Sequence, residues 1–235
     1  MDKYSIIRKI ENFAPLHTAE KWDCAGWLVE TSKKDINNIM LALTVTQDIV
    51  TQARENHCDM IISHHPLFSV PIDYKGIDIY CAHTNMDLAD GGTTDSLVKK
   101  ISLLGLDIKN YIKDEGFVRY AQTNVKTEDF KNILSKISPS FRYTTNNYKS
   151  TLTKIAFCAG SGSEFIEQSF EAGADAYVTG DLKFHTALES PIMVFDIGHF
   201  ESEIQVLEVF RNIIGEDVKY ITAKEESPFN TFSVI

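Results

Sequence analysis

The chain has 235 residues, 43% hydrophobic and 24% charged, which is ordinary globular composition with room for one large domain or two small lobes. Its formal net charge of −10 excludes general attraction to nucleic acid or anionic lipid, because those polyanions need clustered Lys and Arg. The four cysteines (Cys24, Cys58, Cys81, Cys158) form no C-x-x-C pair, the first residues show no basic-then-apolar leader, and no apolar run nears the ~20 residues that span a bilayer, so a reducing cytoplasm is the expected setting.

Residues 3–14 carry Ile6, Ile7, Ile10 and Phe13 at helical spacing behind Asp2, an N-capping residue, and Pro15 closes the helix. Residues 22–29 read as a loop entering a short strand. The run 39–45 is nearly all apolar, as in a strand covered on both faces. Thr46 then caps a helix to about Asn56, with Ile49, Val50 and Ala53 on one face. The next strand, 59–63, stops at His64-His65-Pro66. After a loop containing Pro66 and Pro71, strand 77–82 delivers His83 and, four residues on, Asp87. A Gly91-Gly92 turn precedes a helix with Leu97, Val98, Ile101 and Leu104 on its stripe and Gly105 as its stop.

From 111 to 150 the pattern is weaker: a strand at 116–123, a helix at 127–137 and a strand at 140–145. Strand 155–159 comes next, then the small-residue turn Gly160-Ser161-Gly162-Ser163 and a helix ended by Gly173. Strand 175–179 leads to Gly180-Asp181, which opens a short helix carrying His185. Strand 192–195 delivers Asp196-Ile197-Gly198-His199, and a single last helix runs from there to about Ile214, before a terminal strand at 219–222. Strands alternating with helices predict an α/β fold, two-lobed, with largely parallel sheets and helices packed on their faces. The expected division is a first α/β lobe at 1–110 carrying His64, His65 and Asp87, a second α/β lobe at 111–190, and a C-terminal strand and helix at 191–235 returning to complete the site.

Four of the seven histidines (His64, His65, His83, His199) stand at or just past the carboxyl ends of strands, the edge where open α/β sheets bind ligands. On the last helix, Glu203 shares a stripe with Leu207, Phe210 and Ile214, so its carboxylate faces the core and needs a partner or a cation. His199, one turn earlier, completes an H-x-x-x-E claw. A His-His pair alone is an ordinary loop feature, and an H-x-x-x-E alone an ordinary surface pair. Together with Asp87 they form a nitrogen and oxygen donor set without cysteine, suited to two catalytic Zn, Mn or Fe ions roughly 3.5–4 Å apart. His83, near Asp87, is read as a catalytic group that moves protons rather than binding metal. Asp181 and His185 stand at i, i+4. Either Asp181 is a helix cap beside an unrelated histidine, or His185 faces the cleft as substrate contact or acid/base. The Gly160–Ser163 turn is either a phosphate cradle or a plain glycine turn.

With these residues placed, the chain resembles the Nif-three-like family, also called the GTP cyclohydrolase I type 2 family. The matching stretches are Ala19-Glu20-Lys21-Trp22-Asp23, residues 61–67 around His64-His65, residues 82–87 from Ala82 to Asp87, residues 180–185 from Gly180 to His185, and Gly198-His199-Phe200-Glu201-Ser202-Glu203. The resemblance implies a dinuclear centre of two divalent metal ions per chain on His64, His65, Asp87, His199 and Glu203, a two-lobed α/β fold, and a homo-oligomer in the form of a ring-shaped hexamer. It further implies a metal-dependent hydrolase acting on a small molecule, GTP or another nucleotide. The chain departs from the family pattern at Cys24, Trp27 and Glu30, and has Thr94-Asp95 where Asn-Asp is common; none of these is a proposed ligand. The donor set is also compatible with a non-catalytic metal-binding, metal-delivery or scaffold protein, and with a metal-dependent phosphoesterase.

Overall fold

The computed structural model describes residues 1–113 and 116–229. In chain order the elements are α1 (Lys3–Phe13), β1 (Gly26–Val29), β2 (Asn38–Ala42), α2 (Gln47–Glu55), β3 (Met60–Ser63), β4 (Asp78–Cys81), α3 (Thr84–Leu88), α4 (Thr93–Leu103), β5 (Asn110–Lys113), β6 (Arg119–Lys126), α5 (Thr127–Leu134), β7 (Arg142–Tyr143), β8 (Thr151–Phe157), α6 (Ile166–Glu171), β9 (Ala176–Thr179), α7 (Phe184–Glu189), β10 (Met193–Asp196), α8 (His199–Glu203), α9 (Val206–Ile214) and β11 (Lys219–Thr222). They fall into two units: Met1–Thr93 with Val206–Glu226, and Thr94–Gln205 with 227–229 of the described tail.

The first unit holds a sheet of order β1-β4-β3-β2-β11. Strands β11, β2, β3 and β4 are parallel, and β1 closes the edge antiparallel to β4. This explains the unbroken apolar runs, since a parallel strand covered on both faces has no solvent side. Met40, Ala42, Ile49, Val50, Ala53, Ile61 and Ile79 pack together on one face. Helix α1 starts where Asp2 accepts the backbone N–H of Ser5 at 2.9 Å, and it packs against α9. Strand register sets where the histidines emerge. Ser63 lies opposite both Ala42 and Cys81, so β3 and β4 end in step.

The second unit holds a sheet of order β5-β6-β8-β9-β10-β7. Its centre, β8-β9-β10, is parallel, while β5, β6 and β7 are attached antiparallel, so this sheet is mixed. Alternate side chains feed two cores, Ile155 and Phe157 with Phe130 and Phe195 on one face, Ala156 and Cys158 with Tyr177 and Val194 on the other.

Three features differ from the sequence reading. Strand β5 escapes it because Asn110–Lys113 is a four-residue edge segment, exposed and polar at both ends with two adjacent half-buried residues between, too short to show a strand period. The last helix is two helices: α8 ends at Glu203 and α9 begins at Val206, where the chain passes from the second unit to the first. Helix α4, β10 and α8 accordingly lie in the second unit, while only α9 and β11 return to the first. Cys81 and Cys158 are buried thiols, as their apolar runs imply, and burial pushes Cys81 well up. Among the described residues no helix is long and apolar enough to cross a membrane.

Candidate metal centre

Because β3 and β4 end in step, His64, His65 and His83 leave the same edge of the first sheet, and one ring nitrogen of each lies within 4.8 Å of the others. Each ring is held through Nδ1. His64, fully buried, places Nδ1 3.0 Å from the carbonyl oxygen of Ala82, so Nδ1 carries the proton and Nε2 the lone pair. That Nε2 faces Asp87 Oδ1 at 3.3 Å. Asp87 is brought there by α3, whose turn is closed by its own N–H donating to the His83 carbonyl at 3.0 Å. His65 Nδ1 meets Thr44 Oγ1 at 2.7 Å. Thr44 is itself fixed from the far end of the chain, since the Glu225 carboxylate accepts the backbone N–H groups of Leu43 and Thr44 at 2.6 and 2.9 Å. His83 Nδ1 meets Asp23 Oδ1 at 3.0 Å. Burial pushes the Asp23 carboxyl up, but the hydrogen bonds from Thr84 and His83 outweigh it and leave the group below the ordinary carboxylate range.

In the second unit, His199 and Glu203 form the predicted claw on α8, with Nε2 2.9 Å from Oε2. Glu203 is 3% exposed. The sequence ascribes its burial to a stripe shared with Leu207, Phe210 and Ile214, but those residues belong to α9. What seats Glu203 is the turn after β8. A Cβ on Gly160 would lie 2.1 Å from Glu203 Oε1, so only glycine leaves room for the carboxylate. The turn is braced by its own bonds: Gly160 N–H donates to Ser202 Oγ, Gly162 N–H donates to Thr179 Oγ1, and Thr179 Oγ1 donates to the Gly160 carbonyl. With the Gly160 and Gly162 N–H groups spent internally, the turn serves as a seat for Glu203. Asp181 turns to His199, Oδ2 to Nδ1 2.7 Å, and not to His185. It does so from a left-handed backbone conformation, φ 55°, which is uncommon outside glycine. His185 is exposed on α7, its ring edge-on to Phe184.

Burial pulls the His199 imidazole down, but Glu203 and then Asp181 outweigh it and push it up to about 9. A folded-state value above the ordinary 6.5 means the proton stabilises the metal-free fold. That contribution is complete below about 6.5, falls as pH rises and is gone above about 9. The thermal midpoint of metal-free protein should therefore drop between about pH 6.5 and 9.5, and His199→Asn should flatten the slope. An equal slope in the variant would show that another group carries it.

Both clusters fit a divalent ion. The donors are imidazole and carboxylate, without thiolate. The contacts of 3.3 Å (His64 to Asp87) and 2.9 Å (His199 to Glu203) match the separation of neighbouring donors around one ion, about 3.0–3.4 Å for bonds of ~2.1 Å. Three histidines offered to one edge, each anchored at its second nitrogen, form the outer arrangement that metal-ligating histidines need. Asp23, Thr44 and Glu225 have no periodic signal near the histidines they serve, and only the sequence match at Trp22-Asp23 hints at one of them.

A family model described as Duf34/NIF3 (NGG1p interacting factor 3) matches residues 1–228. The chain belongs to the Duf34/NIF3 family. This NIF3-family chain is 30% identical over 257 aligned positions to a Clostridium perfringens protein named GTP cyclohydrolase 1 type 2 homolog, covering 95% of this chain and 97% of that one. It is 27% identical to NIF3-like protein 1 of Drosophila melanogaster, covering 91% and 82%. Among solved structures, reduced HcgD from Methanocaldococcus jannaschii superposes with a TM-score of 0.80 at 25% identity, covering 94% and 97% of the two chains. A Bacillus cereus protein related to NIF3 superposes at 0.83 with 18% identity, covering 99% of each chain, and shows that the NIF3 fold persists at low identity.

Proposed function

We propose that this NIF3-family protein is a dinuclear metal hydrolase acting on a purine nucleotide of the GTP kind, with His64, His65, Asp87, His199 and Glu203 as the ligands of two divalent ions. The observation that supports it most is the anchoring of His64, His65 and His199 through Nδ1, which turns Nε2 of each ring away from its anchor and leaves it as the nitrogen to meet an ion. The relatives named GTP cyclohydrolase 1 type 2 homolog support the substrate class. Divalent ions held by this set would supply Lewis acidity and would lower the pKa of a coordinated water towards about 7.

The chain's own groups do the rest. Ala82 and Thr44 keep His64 and His65 in fixed orientations, so that no ring has to reorient during turnover. Asp181 holds His199, and Gly160 leaves Glu203 one place to sit. His185, exposed on a short helix, is the group proposed to meet the nucleotide.

The test is formate release from GTP by metal-loaded protein, as expected if C8 of the purine leaves by hydrolysis. The parent should release formate, and a His64→Ala, Glu203→Ala double variant should not. His185→Ala should keep its metal and lose turnover. Formate from neither protein, with metal retained by the parent, would leave a metal-binding protein without this activity.

A further inference from the structure

We propose that His83 is an additional metal ligand, through Nε2, and that Asp23 is its positioning residue, so that the first unit presents a face of three imidazoles. The inference presupposes the two-ion centre and adds a ligand to it.

His83 shares with His64 and His65 a cluster in which one nitrogen of each ring lies within 4.8 Å of the others. Its ring centroid is 5.3 Å from that of His64 and 5.8 Å from that of His65, so three imidazoles converge within the first unit alone. Asp23 then decides which nitrogen His83 presents. Its side chain is fully buried, and it accepts from His83 Nδ1 at 3.0 Å, from the N–H and hydroxyl of Thr84 at 3.0 and 2.5 Å, and from the N–H of Cys24 at 2.6 Å. A carboxylate with that many donors is fixed in place, and it fixes the Nδ1–H tautomer. The loop carrying it is tied to the same threonine, because Glu20 N–H donates to Thr84 Oγ1 at 2.9 Å. Trp22 packs edge-on against the His83 ring at 6.0 Å.

This is the carboxylate–histidine pair that orients metal ligands and raises the basicity of the donor nitrogen. The second unit uses the same device, Asp181 on His199 Nδ1. Asp23, committed to three other donors as well, fixes the ring. A carboxylate-held histidine is also the arrangement of a general base, the role expected for His83 from sequence, so metal affinity, which a proton-moving role would leave unchanged, separates the two. A three-imidazole face also has a metal preference: it suits Zn(II), Fe(II) or Co(II), whereas Mg(II), Ca(II) and Mn(II) favour oxygen donors.

The experiment titrates full-length metal-free protein with Co(II), following the visible d–d bands and measuring affinity by chelator competition. His83→Asn should weaken one of the ions by roughly 10- to 100-fold and alter the d–d bands. Asp23→Asn keeps the His83 ring and should weaken the same ion by about 10-fold. If His83→Asn fails to fold, Asp23→Asn decides. Parental affinity and bands in both variants, with Co(II) lost by the His64→Ala, Glu203→Ala variant, would overturn the role of His83 and leave the centre standing. Parental binding by that last variant would instead remove the centre on which His83 depends.

Discussion

Gly160→Ala is expected to weaken metal binding by about 100-fold, although the residue offers no donor of its own. The added Cβ would sit 2.1 Å from Glu203 Oε1, and a contact that short forces the carboxylate out of its seat. The substitution also meets backbone strain, since φ at Gly160 is 68°, a cost of about 1–2 kcal/mol for any residue with a Cβ. Gly173→Ala is the matched control. It has φ 79° but nothing within 4 Å of the new Cβ, so it carries the strain without the collision. Both variants should lose a few degrees of thermal stability, and only Gly160→Ala should lose affinity in a chelator competition. Equal affinity in the two would show that Glu203 has another place to go.

The largest loss of stability is expected from Asp95→Ala. Arg119 is 1% exposed, and its Nε donates to Asp95 Oδ2 at 2.9 Å. The hydroxyl of Tyr111 donates to the other oxygen at 2.5 Å, so one carboxylate in the first turn of α4 ties down both β5 and β6. Removing it strips a buried guanidinium of this counter-charge, which costs about 3–5 kcal/mol. At roughly 2–4 °C per kcal/mol for a chain of this size, that is a fall of about 6–20 °C in thermal midpoint. Replacing both partners, Asp95→Leu with Arg119→Met, should recover most of the loss, because a buried charge pair is expensive chiefly when broken. A loss below about 1 kcal/mol for Asp95→Ala would mean that the carbonyls of Gly116 and Val118, which also accept from Arg119, suffice for it.

Much of the candidate centre is legible along the chain because it depends on spacings of a few residues. His64-His65 marks the end of β3, and the i, i+4 relation of His199 to Glu203 is a helical turn. Asp87 follows His83 by one turn of α3, a helix that the sequence pattern does not announce but that keeps the same spacing. At two acidic residues, long-range packing overrides local spacing. Glu203 is buried, yet the stripe that suggests it is broken at 204–205, and its seat at Gly160 lies far back along the chain. Spacing pairs Asp181 with His185, and its left-handed backbone turns it to His199 instead.

By itself, the sequence determined the α/β class, the strand ends at which the histidines emerge and the donor types, because apolar runs, glycine stops and short-range spacings follow from local geometry. Only the tertiary structure decided which nitrogen each histidine presents. Asp23 stands 60 residues from His83, Thr44 21 from His65 and Glu225 181 from Thr44. Hydrogen bonds between such positions depend on strand register and loop path, and neither leaves a periodic trace in the chain.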